Sequence, residues 1–347
     1  MAKQTGDSLR TGAATAPFRD HLTRIRAQTP GPASWTTVEA DFLAAMEAFD
    51  AAVIAGTATD GQRQNGKGDY FNDLLAVVLE NAAGVELNAR RGVPGLIFPN
   101  HNLDVTYPAT TRGDVHTIAE VMVEAKMMGT PQHQGNETTE QPEGRRGSAD
   151  LLKRCKEAGF KSIDLKAAFG MLQSQAGEEQ QAGPGGDLTT WLRSVRPKSY
   201  MVLGVRVTSD SDAQAVRTMA DNMTRVMDGV GLFLYRAKGY KAANLSPPRY
   251  EPVPVSPTLE LVRVLQRVTN DLRAAKARGA TTAPAPPSVA VESAVAQAAE
   301  DEATDMERAE LKAQVDDLMR RYADGEIDGE AYKRRMMELK TSARSDD

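Results

Sequence analysis

The strongest constraint on this chain is a change of apolar period along its middle third. Residues 115–123, 200–207 and 230–235 are short runs rich in Val, Ile, Leu, Met and Tyr, as a buried strand requires. Between the last two, residues 211–226 carry apolar side chains at helical spacing. Strands alternating with helices predict an α/β unit with a central mixed sheet flanked by helices.

The flanks are read the same way. Residues 36–54 have the helical stripe Phe42, Ala45, Met46, Phe49 and Val53. A second helix is predicted over 69–81, with Phe71, Leu74, Leu75 and Val78 on its apolar side and Gly84 ending it. Residues 56–68 read as a polar loop between the two helices. Leu96-Ile97-Phe98 and residues 103–107 are β-like, and residues 108–113 carry turn residues. A helix is predicted over 148–158, closed by Gly159, with a buried strand around Ile163 and Leu165. Residues 246–257 contain five prolines and predict no regular structure, and a last helix is predicted over 259–277.

Domain organisation follows from composition. Residues 1–34 are polar and read as a flexible leader, and residues 35–278 as the main domain. Residues 279–305, rich in Ala, Pro, Thr, Ser and Glu, read as a disordered linker. Residues 306–342 return to helical order. Leu311, Val315, Leu318 and Met319 mark one helix, and Tyr332, Met336 and Leu339 the other, with a turn at residues 324–329.

Several function classes are excluded. No apolar run approaches the ~18 residues of a membrane span, and the first fifteen residues lack the apolar stretch of a secretory signal. With one cysteine, Cys155, the chain forms no internal disulfide and no cysteine-based zinc cluster. A cytoplasmic location fits both features. Gly183-Pro184-Gly185-Gly186 lacks the Gly-Lys-Ser/Thr that a phosphate loop needs. His101, His116 and His133 do not show metal-ligand spacing, and His101-Asn102 alone is no HNH nuclease motif. The net charge of -5 is unevenly spread. Residues 61–280 hold 28 Lys+Arg against 24 Asp+Glu, and residues 281–347 hold 9 against 16. A mildly basic middle is able to meet phosphates, although an ordinary mixed surface has the same balance.

One constellation carries chemistry. Glu124 and Lys126 are two apart at the end of an apolar strand, so they share a face. Asp104 and Glu124 are symmetric about residue 114, so a hairpin turning near residues 110–114 sets them opposite each other. Asp114 itself lies ten residues from Glu124, about 33 Å along an extended strand, and belongs to the turn. Two carboxylates suit Mg²⁺, which takes oxygen ligands, and Lys126 is placed to orient or deprotonate a water, or to stabilise transition-state charge. The alternative is a solvated strand face, where Glu and Lys at this spacing are common.

Leu103-Asp104-Val105 followed by Val121-Met122-Val123-Glu124-Ala125-Lys126 resembles the PD-(D/E)XK nuclease superfamily, especially type II restriction endonucleases. The resemblance covers roughly residues 65–240. Leu103 stands where that family has proline. It implies a restriction-endonuclease-like fold and Mg²⁺-dependent DNA cleavage (Mn²⁺ as an alternative ion) of a restriction or defence type. Asp104 and Glu124 would be metal ligands and Lys126 the catalytic lysine. An acidic residue of the preceding helix would assist the metal, with Glu80 preferred to Asp73 or Glu86. Arg145, Arg146 and Lys153, beside Arg154 and Lys156, are candidate phosphate contacts, or else a solvated helix face. The terminal helical pair resembles a SHOCT-like hairpin, which implies partner binding or oligomerisation, and a homodimer is compatible with that. A non-catalytic DNA-binding or scaffold protein is the competing expectation.

Overall fold

The computed structural model describes residues 12–27, 35–98, 101–108, 119–131, 144–175, 188–238 and 249–279. The chain divides into two units, Met1–Pro284 and Ala285–Asp347. The predicted hairpin and most of the linker lie outside the described residues, as do residues 109–118, where the turn and Asp114 fall.

After a short 3-10 turn (Ala13–Thr15) come α1 (Ala16–Arg26), α2 (Trp35–Ile54) and α3 (Asp60–Ala83). Then follow β1 (Asn88–Val93), β2 (His101–Tyr107), β3 (Val121–Met128), α4 (Leu151–Gln175) and α5 (Leu188–Ser194). The order closes with β4 (Lys198–Arg206), α6 (Asp210–Met223), β5 (Gly229–Lys238), β6 (Arg249–Val253) and α7 (Leu261–Arg278). Among the described residues six strands form one mixed sheet in the order β1-β2-β3-β4-β5-β6. β1, β2 and β3 are antiparallel neighbours, β3, β4 and β5 are parallel, and β6 runs antiparallel at the edge. No helix among the described residues is long and apolar enough to cross a membrane.

The strand pleat sends alternate residues to two cores. Val121, Val123, Ala125, Tyr200, Val202, Phe233 and Tyr235 pack under α1, α2, α3 and α7. Met201, Leu203, Val205, Leu232 and Leu234 pack under α4 and α6. Both parallel connections pass over this second side, so β4 and β5 are covered on both faces and read as nearly continuous apolar runs.

Several sequence expectations are corrected. Part of the leader is helical: α1 buries Phe18, Leu22 and Ile25 in the first core. The predicted 56–68 loop is mostly helix, because Thr59 and Gln62 form a capping box that starts α3 nine residues early. At its far end Gly84 caps α3 in the left-handed conformation (φ 64), as read from the sequence. Gly159 does not end α4. Leu151, Cys155, Ala158, Leu165 and Phe169 are buried at helical spacing, so Ile163 and Leu165 lie on a helix and not on a strand. The proline-rich segment contains β6, an edge strand, where Pro252 need not donate to a neighbour. Leu96, Ile97 and Phe98 form no strand. They stand exposed in the connection from β1 to β2.

Candidate active site

The site forms where β2 and β3 part. Their pairing runs Tyr107↔Val121, Thr106↔Met122 and Val105↔Val123. One further step sets Asp104 opposite Glu124, as the symmetry about residue 114 requires. The ladder stops there. Instead of a backbone acceptor, the Ala125 N–H finds Asp104 Oδ2 at 2.9 Å. The carboxylate replaces the missing rung and is thereby fixed in place.

Lys126 joins the two acids. Its ammonium donates to Asp104 Oδ2 and, at 3.0 Å, to Glu124 Oε2. Glu124 is fully buried, whereas Asp104 and Lys126 each keep 18% of their side-chain surface. The pair therefore meets at the edge of the fold, with the lysine between them. Burial works to lower the Lys126 pKa, but Glu124 and Asp104, by charge and hydrogen bond, outweigh it and raise the value above the usual lysine range. Lys126 is an ammonium here, suited to placing charge and not to taking a proton.

Two further residues complete the constellation, and the sequence reading missed both. Lys161 of α4 donates to Glu124 Oε1 and Oε2 at 3.1 and 3.2 Å and to the Asn102 carbonyl at 2.6 Å. Once residues 161–166 are assigned to a strand, Lys161 has no reason to face Glu124. The helical spacing of Leu151, Cys155, Ala158 and Leu165 was the available signal. Asn72 of α3 donates from Nδ2 to Asp104 Oδ1 at 3.3 Å, and its own Oδ1 is buried without a hydrogen-bond partner. Asp104 and Glu124 against Lys126 and Lys161 make the group formally neutral.

Glu80 is not part of it. It lies eight residues beyond Asn72, about 12 Å along α3, and its Oε1 accepts the Leu87 N–H at 3.0 Å, tying down the α3–β1 connection. Among the described residues no three His, Cys, Asp or Glu side chains come together as a metal site. This corrects the expected trio of Asp104, Glu124 and Glu80. Asp73 is buried in α3, and Glu86 is exposed after it.

The candidate phosphate contacts sit at the start of α4. Arg145 is exposed and pairs with Asp150 at 2.7 Å. Arg146 is exposed, and Lys153 is exposed with Glu157 at 4.0 Å. From Lys153 to Lys161 is eight helical residues, about 12 Å.

Asp104 and Glu124 are oxygen donors of the kind a hard divalent cation takes. Both are engaged by Lys126, Glu124 is engaged by Lys161 as well, and the buried Asn72 Oδ1 has no hydrogen-bond partner. No protein-family model matches the chain, and neither a search of curated proteins nor one of solved structures finds a match.

Proposed function

We propose that this chain is a Mg²⁺-dependent nuclease of restriction-endonuclease-like fold that hydrolyses phosphodiester bonds of DNA. One observation carries the reading. Asp104 and Glu124, from antiparallel neighbours, meet on a single lysine two residues from the glutamate. Asp104 and Glu124 would hold the ion, with Asn72 Oδ1 as a neutral oxygen beside them. A bound Mg²⁺ would supply Lewis-acid polarisation of the phosphate and a more acidic water.

The chain's own groups have separate tasks. Lys126 brings a fixed positive charge to where a phosphate would gain negative charge. Lys161 holds the Glu124 carboxylate from the α4 side. Asn72 and the Ala125 N–H together fix the Asp104 carboxylate, one on each oxygen. Arg145, Arg146 and Lys153 are proposed to position the DNA backbone. A homodimer and a partner for the C-terminal segment belong to the same proposal.

A non-catalytic DNA-binding or scaffold role is favoured by one feature: Glu124 is fully buried and engaged by two lysines, as a structural ion-pair cluster would be. Incubating the full chain with duplex DNA, in Mg²⁺ or in EDTA, separates the two. The nuclease reading expects cleavage in Mg²⁺ alone, lost in Glu124→Gln and Lys126→Met. Cleavage surviving both substitutions, or no cleavage of any nucleic acid by the unaltered protein, overturns it.

A further inference from the structure

Beside the site stands a group of exposed apolar side chains that the fold does not use. Leu96, Ile97 and Phe98 are 47%, 68% and 51% exposed, and Phe160 and Ile163 of α4 are 40% and 37% exposed. This much apolar surface in one place marks an interaction site.

The group is held rigidly. Asp164, buried in α4, accepts the Ile97 N–H at 2.8 Å, the Phe98 N–H at 3.2 Å and a His101 Nε2 contact at 2.6 Å. Phe98 packs edge-on against Phe160, centroids 5.4 Å apart. Gly95 allows this close docking, since a Cβ there would lie 2.0 Å from Asp164 Oδ2. The loop is thus pinned by its backbone while its side chains point away from the core.

Its surroundings indicate the occupant. Phe160 precedes Lys161, whose ammonium touches both oxygens of Glu124. Along α4 from Leu151 to Lys161 there are four cations, Lys153, Arg154, Lys156 and Lys161, against the single anion Glu157. A rigid apolar tip bordered by cations matches a polyanion with flat apolar faces inside it, which is a nucleic acid.

We propose that Leu96, Ile97 and Phe98, backed by Phe160 and Ile163, form a wedge that enters between the bases of a DNA substrate next to the Asp104–Glu124 pair. The inference rests on the nuclease reading and specifies its substrate as a DNA that is distorted at the cut. The exposed Lys153, Arg154 and Lys156 of α4 hold the backbone while the wedge opens a base step.

The test uses the full chain carrying Glu124→Gln, so that bound DNA is not cut, and a duplex with 2-aminopurine as the probe. Binding is expected to raise the probe's fluorescence. Adding Ile97→Ser and Phe98→Ser should abolish that rise and weaken binding by about tenfold or more, with the salt dependence of binding unchanged and the thermal midpoint held. Arg154→Glu with Lys156→Glu should weaken binding and reduce its salt dependence instead. The wedge is overturned if the serine variant binds and brightens the probe as before. It is also overturned if that variant keeps its DNA affinity but turns a dimer into a monomer in sedimentation, which would make the patch a self-interface. Cleavage by the otherwise unaltered Ile97→Ser/Phe98→Ser protein at its original rate removes the wedge and leaves the nuclease reading standing. A wild-type protein that neither cuts nor binds DNA removes both.

Discussion

Two charged clusters lie in the same fold, and they are built differently. At the β2–β3 fork, Asp104, Glu124, Lys126 and Lys161 meet near the surface, and both lysines keep about a fifth of their side chains in solvent. In the interior Asp50 of α2 is fully buried. Lys67 of α3 reaches it at 2.8 Å, the Tyr250 hydroxyl of β6 donates to it, and Arg206 at the end of β4 bonds to Tyr250. The second cluster ties four elements together and offers nothing outward. Pairing a carboxylate with a lysine therefore does not by itself mark a site. What distinguishes the first is its position at the end of a strand ladder, with one edge open and one amide oxygen unpartnered.

The contrast is testable, beginning with its largest effect. Glu124→Gln or Lys126→Met should lower Mg²⁺-dependent cleavage by about a thousandfold or more, on the scale of losing one preorganised charge. Thermal stability should change less than at Asp50, because both lysines are partly exposed and can rehydrate in Glu124→Gln, while Lys161 still pairs with Glu124 in Lys126→Met. A cleavage assay beside a melting curve reads both. Asp50→Ala should do the reverse. It leaves Lys67 and Arg206 buried without their carboxylate and should cost about 3–5 kcal/mol in urea unfolding. A small loss there would mean that the interior cluster is no clamp.

A third test concerns pH on the same interior side. His21 is buried, its Nδ1 meeting the Tyr70 hydroxyl, and burial lowers its pKa to about 4, against weaker opposing influence from Asp41 and with Arg24 adding to the fall. The unfolded chain takes up this proton first, near 6.5. Stability should therefore be lost as pH falls from about 6.5 to about 4, by on the order of 3 kcal/mol in full. His21→Gln should remove that part of the slope when unfolding free energies are compared at pH 7 and pH 4.5. The smallest effect is expected at Asn72. Asn72→Ala should slow cleavage about tenfold and shift stability by no more than about 1 kcal/mol, since only one long hydrogen bond is lost.

The parts of this picture differ in how readable they were. The strands at 200–207 and 230–235 and the helix between them came directly from apolar period, because elements buried on both sides or on one stripe declare themselves in composition. Asp104 and Glu124 were readable because hairpin symmetry is arithmetic. Lys161 was not, since Gly159 reads as a helix stop while Cys155, Ala158 and Leu165 in fact continue one buried stripe. The sequence points to an acid on α3, with Glu80 preferred to Asp73 or Glu86, and so passes over Asn72, because periodicity along α3 gives no height above the sheet. Leu96-Ile97-Phe98 reads as a strand only if apolarity means burial. The three side chains are exposed, and it is the backbone N–H groups of Ile97 and Phe98 that are tied to Asp164.

Mn²⁺ titration of the full chain, followed by the loss of free-ion paramagnetic resonance signal, bears on the carboxylate pair most directly. One ion should bind per chain, with affinity at least about tenfold weaker in Asp104→Asn and in Glu124→Gln and unchanged in Glu80→Gln. Equal binding by all four proteins, or weakening in Glu80→Gln alone, would contradict a cation site at the β2–β3 fork.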